Sequence, residues 1–172
     1  MKVQKMTLIA VIMAMAIVVS ILESFIPSFF IPGIRLGLAN IFILLLLYEF
    51  GVLEALFVNL GRVFITALVR GTIFQMGFFM SITGAMLSML IMWVLVLLFK
   101  KLTPIAVSVV GALFHIFGQF LIGFIFLETP YILFYAPILM AISVGTGIIV
   151  GVVVILIRRT KVIENLKAKY QM

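Results

Sequence analysis

Runs of roughly 20 consecutive apolar residues are the length a helix needs to cross a bilayer, and this chain is built almost entirely from such runs. Loops and charges divide it into six: about Met6–Ile26, Leu36–Phe50 (a short one), Val52–Val69, Gln75–Phe99, Pro104–Leu127 and Tyr131–Ile157. The runs are continuous rather than alternating, which speaks against a β-barrel. The predicted fold is an all-α integral membrane protein, a compact bundle of six transmembrane helices in a single domain over residues 1–172. Pro27, Pro32 and Gly33 punctuate the first connection, Gly51 the second, Lys100, Lys101 and Pro104 the fourth, and Glu128 and Pro130 the fifth.

Composition supports the same class and removes several chemistries. Hydrophobic residues make up 66% of the chain and charged residues 10%, against about 25% charged in a soluble domain. There is no aspartate, so magnesium sites of paired aspartates are excluded. There is no cysteine, which excludes disulfides, thiolate zinc and cysteine nucleophiles. A single histidine cannot make a His-rich metal site. No cofactor and no catalytic centre are expected.

The net charge of +7 is a topology signal rather than a nucleic-acid footprint. With the N-terminus inside, Lys2, Lys5, Lys100, Lys101, Arg158, Arg159, Lys161, Lys167 and Lys169 all fall on the cytoplasmic side, and both termini are cytoplasmic. Only Arg35 and Arg70 lie near the outer face, and Arg62 lies within the third span. The first run is too long for a secretory signal and lacks a small-residue cleavage site.

Ionisable residues inside a membrane are costly and mark candidate sites. In this topology they gather in the outer half: Glu23, Arg35, Asn40, Asn59, Arg62, Arg70, His115 and Gln119, with Glu128, Tyr131 and Tyr135 at the outer end of the last hairpin. Asn59, Arg62 and Thr66 share one face of their helix, as do Ser108, Ala112, His115 and Gln119. Two such faces can line a cavity open to the exterior. Each residue also has a plainer reading. Arg62 can pair with a Glu or with helix carbonyls to hold the bundle, and His115 can be a satisfied packing residue. Arg35 and Arg70 can snorkel to the interface, and the tyrosines can belong to an aromatic belt. Three arginines and a histidine at one aqueous mouth favour an anionic ligand bearing a carboxylate or phosphate. Small residues at helical spacing, including Gly77, Ser81, Ala85 and Ser88, and Ser143, Gly147 and Gly151, predict close internal packing. Ala10 and Ala14 form a similar step that can instead face outward and dock a partner helix.

The stretch Ile31-Pro-Gly-Ile-Arg-Leu-Gly-Leu-Ala-Asn40-Ile resembles the P-G-x-K/R-L-G-L-A-N-I signature of the bacterial Gx transporter family, also called heptaprenyl diphosphate synthase component I. The resemblance continues through Leu22-Glu-Ser-Phe-Ile-Pro27, Tyr48-Glu-Phe-Gly51, Gly111-Ala-Leu-Phe-His115-Ile-Phe-Gly-Gln119 and Thr129-Pro-Tyr-Ile-Leu-Phe-Tyr-Ala-Pro137. That family is similar to the substrate-binding S-components of energy-coupling-factor transporters. The resemblance implies a six-helix subunit of the bacterial or archaeal cell membrane that captures a vitamin-like micronutrient at the outer face. Its partners would be a transmembrane coupling protein and two ATPases, docked through an A-x-x-x-A step that Ala10 and Ala14 match. The loop from Pro27 to Arg35 would act as a lid. The synthase name implies another reading, a non-catalytic membrane accessory of isoprenoid or quinone synthesis or of flavin- or quinone-linked electron transfer. A catalytic prenyl-elongating subunit would need aspartate-held magnesium, which this chain cannot supply.

Overall fold

The axis of the molecule is a helix too short to cross a membrane. In the computed structural model, which describes residues 2–25, 35–128 and 130–170, helix α2 (Asn40–Glu49) has 10 residues. At 1.5 Å per residue it is about 15 Å long, half the thickness of a hydrocarbon core. The six consecutive residues from Phe42 to Leu47 are all buried. A helix that is apolar all round has no face for water and must be enclosed. The enclosing wall is α1 (Lys2–Glu23), α3 (Val52–Val69), α4 (Met76–Leu98), α5 (Pro104–Leu127) and α6 (Ala136–Arg159). A 3-10 turn over Pro130–Tyr135 precedes α6, and a short α7 (Val162–Tyr170) follows it.

Of the six stretches expected from the sequence, five are helices long and apolar enough to cross a membrane: Val3–Glu23, Val52–Val69, Met76–Leu98, Pro104–Leu127 and Leu133–Arg159. The second begins not at Leu36 but at Asn40, because Gly37 takes a left-handed backbone (φ 82°) and the residues from Arg35 to Ala39 are irregular or turn. α7 and the 3-10 turn had no counterpart in the hydropathy reading. The expected lid lies outside the described residues, apart from Arg35.

The sequence of each helix end explains where it starts. The Thr103 hydroxyl caps α5 by accepting from the Ala106 N–H at 3.2 Å, and Pro104 occupies the first turn, where its missing N–H costs nothing. The small-residue stripes set the helix crossings. A Cβ added at Gly118 of α5 would stand 2.8 Å from the Gly84 Cα of α4. One added at Gly147 of α6 would stand 2.7 Å from the Val109 Cα of α5. These backbones touch, as expected for the buried Ser81, Ala85, Ser88 and Ser143 beside them.

Both ends of the chain's transmembrane part meet at one end of the bundle. Lys5 on α1 pairs with Glu54 on α3, and Arg158 on α6 donates to Glu49 on α2 at 3.0 Å while lying 4.5 Å from the Tyr48 ring centre.

Gly118→Val should lower thermal stability in detergent by about 1–3 kcal/mol or more, since the new side chain must displace backbone. Gly145→Ala is the control, because a Cβ there meets nothing within 4 Å and the residue is exposed. Equal melting temperatures for Gly118→Val and the wild type would contradict this account of the crossing.

Candidate functional site

Apolar surroundings leave a polar side chain few partners, so those buried here find one another. Asn59, Arg62 and Thr66 project from one face of α3 and are all buried, as are Ser108, Ala112, His115 and Gln119 on α5. Ser20 and Glu23 add two groups, one turn apart, from α1. Asn40 opens α2, and Ser88 faces it from α4.

The first unit is the seat of Arg62, which is 3% exposed. Its Nε donates to Asn59 Oδ1 at 3.2 Å and its Nη1 to Ser20 Oγ at 3.3 Å. Its Nη2 donates to Asn40 Oδ1 at 3.1 Å and to Asn59 Oδ1 at 3.0 Å. All three acceptor residues are neutral. Two of them are held in turn by α4: the Asn40 amide donates to Ser88 Oγ at 3.1 Å and the Asn59 amide to the Ala85 carbonyl at 3.0 Å.

The second unit holds the segment from Arg35 to Ala39. Non-helical backbone among apolar helices must be satisfied from within the protein. Gln119 does this with both ends of its amide: Oε1 accepts from the Arg35 N–H and Nε2 donates to the Arg35 carbonyl, each at 2.8 Å. The Glu23 carboxylate accepts from the Gly37 N–H and, at 3.3 Å, from the Leu38 N–H. Thr146 of α6 donates to the Leu36 carbonyl at 3.4 Å. The stretch from Arg35 to Leu38 is thus gripped by side chains of α1, α5 and α6.

The third element is His115. It is 2% exposed, and among the described residues neither Nδ1 nor Nε2 makes a hydrogen bond of good geometry. Its ring fills the space between two glycines: Cδ2 lies 3.3 Å from where a Gly37 Cβ would be, and Cε1 3.4 Å from that of Gly84. Buried polar groups without partners are rare and call for a cause.

Charge is unbalanced here. Arg35 and Arg62 are two buried guanidinium groups, and Glu23 is the one buried carboxylate near them. Glu23 acts on both arginines through space. The ion pairs within 4 Å among the described residues, Lys5–Glu54 and Arg158–Glu49, are both at the other end of the bundle.

The structure therefore brings together Glu23, Arg35, Asn40, Asn59, Arg62, His115 and Gln119. It leaves Arg70, at the end of α3, exposed, and it leaves Tyr131 and Tyr135 on the surface, where Tyr131 stacks on Phe134 with ring centres 6.1 Å apart. Ala10 and Ala14 are exposed on α1. Ser20, Gly37, Ser88 and Thr146 belong to the cluster but were not singled out as site residues from the sequence. The three-residue spacing of Ser20 and Glu23 was the available signal. Among the described residues no group of three or more His, Cys, Asp or Glu side chains could hold a metal ion.

Gln119→Leu should strip partners from two buried backbone groups of Arg35, at about 1–3 kcal/mol for each group left unsatisfied. Faster amide exchange over residues 35–38, together with a lowered melting temperature, is the expected result. Unchanged exchange there would refute the clamp.

The profile of the heptaprenyl diphosphate synthase component I family matches residues 12–157, and the chain belongs to that family. No curated protein and no solved structure matches it.

Proposed function

We propose that this member of the family is a substrate-capturing membrane subunit of the S-component kind, binding a small anionic, vitamin-like micronutrient for uptake. The observation that carries the reading is the unbalanced charge: two buried guanidiniums, one carboxylate, and Arg62 satisfied by neutral groups alone. An uncompensated buried cation is expensive. A carboxylate or phosphate from outside the chain offsets it, and the open nitrogens of His115 offer a second point of contact.

Orientation in this reading follows the basic residues. Lys5 and Arg158 sit at one end of the bundle, which the positive-inside rule assigns to the cytoplasm. The chain then crosses six times, α2 making one crossing together with the segment before it, and both termini are cytoplasmic. The polar cluster opens toward the exterior of the cell membrane. The exposed face of α1 that bears Ala10 and Ala14 docks a transmembrane coupling protein driven by two ATPases. Capture needs no chemistry from the chain, so the protein is not an enzyme. Arg70, Tyr131 and Tyr135 form the rim in this picture.

The test is a ligand panel against the purified protein, read as a melting-temperature shift and by calorimetry. Anionic vitamin-like compounds should bind, and Arg62→Ala and His115→Ala should each weaken binding by about tenfold or more. Unchanged affinity in both variants would overturn the assignment. Ala14→Leu should block assembly with the coupling module and leave ligand affinity intact; lost binding with assembly preserved would sink the docking face.

The family's description favours a second reading, a non-catalytic membrane accessory of isoprenoid diphosphate synthesis. Co-purification with a prenyl synthase subunit rather than with ATPases would establish it.

A further inference from the structure

Two short connections lie at the end of the bundle opposite the polar cluster, and both border the same extended apolar core. Leu95 and Val96, late in α4, pack against the same cluster as Ile157 and Ile163, which flank the turn from α6 to α7. The chain just beyond Val96 carries Lys100 and Lys101. The chain between Ile157 and Ile163 carries Arg158, Arg159 and Lys161. Arg158 is engaged by Glu49 and Tyr48. Lys100, Lys101, Arg159 and Lys161 are exposed and have no ion pair among the described residues. The carboxylate nearest them in sequence, Glu164, is exposed as well and leaves the collar strongly positive.

The cations stand directly on exposed apolar surface. Leu97, Leu98, Phe99, Leu102, Leu156 and Val162 are each at least 38% exposed. An acidic protein segment would match the charges and leave this wall uncovered. A two-part ligand, anionic at one end and hydrocarbon at the other, matches both. We infer that this end of the molecule is a binding surface for anionic phospholipid, with acyl chains along Leu97, Leu98 and Leu156 and headgroup phosphates at the two basic pairs, Lys100 with Lys101 and Arg159 with Lys161. Each basic residue close to an anionic lipid surface adds attraction that falls away within a Debye length. Ile163 fixes α7 against the bundle, so Lys161, held in a left-handed turn (φ 53°), stays beside the rim rather than on a loose tail.

Native mass spectrometry of the full-length protein, titrated with phosphatidylglycerol or phosphatidylcholine in detergent over a range of salt, tests this. Phosphatidylglycerol should be retained preferentially, less so as salt rises, and the variant K100Q/K101Q/R159Q/K161Q should lose about tenfold or more of that preference. The charge-keeping variant K100R/K101R/R159K/K161R should retain it, which separates lost charge from a disturbed fold. Equal retention of the two lipids by the wild type overturns the inference. So does undiminished preference in the neutral variant, or equal loss in the charge-keeping one. An acidic protein bound at these residues without any lipid preference would also overturn it. None of these results bears on the polar cluster at the opposite end.

Discussion

A backbone that leaves the helical path inside a membrane protein has no water to turn to, and the arrangement of polar groups in this molecule follows from that fact. The residues from Arg35 to Ala39 are such a backbone, ahead of an α2 only half as long as a bilayer is thick. Gln119, Glu23 and Thr146 supply what the missing helix turns would have supplied. Gly37 supplies the left-handed step that lets the chain enter α2, and the His115 ring fills the space beside it. The stretch from Arg35 to Leu38 is thus, in physical terms, a set of backbone donors and acceptors matched to three helices.

Arg62 solves a different problem. Three neutral side chains satisfy its hydrogen bonds but not its charge. A guanidinium is tolerated in such a place because its donors are spread over a plane and its charge is delocalised. The proposed anion-binding role rests on this distinction between hydrogen-bond satisfaction and charge compensation. A fully ion-paired network would have closed it, and a purely apolar one would have had nothing to offer an anion.

Much of this was legible in the residues. The apolar runs marked every long helix, and helical spacing grouped Asn59, Arg62 and Thr66 on one face and His115 and Gln119 on another, faces that the structure buries. The small-residue stripes of α4 and α6 predicted close internal packing, and both helices lie tightly against α5. Hydropathy could not reveal where α2 begins, because Leu36, Leu38 and Ala39 are as apolar as the helix they precede. Nor could it reveal that Gln119 grips backbone rather than facing a mouth, since that pairing joins residues 84 positions apart. The surface location of Arg70, Tyr131 and Tyr135 agrees with the plainer reading of each, an interfacial residue near a helix end.

The origin of the acceptors around Arg62 has a consequence for biogenesis. Ser20, Asn40 and Asn59 all precede Arg62 in the chain, so the ribosome has already delivered every group this guanidinium needs when α3 enters the bilayer. The non-helical segment at Arg35 must wait instead for Gln119 and Thr146, which are made well after it. The most hazardous charge is therefore sheltered early during insertion, and the signature loop is sealed only as the final hairpin arrives.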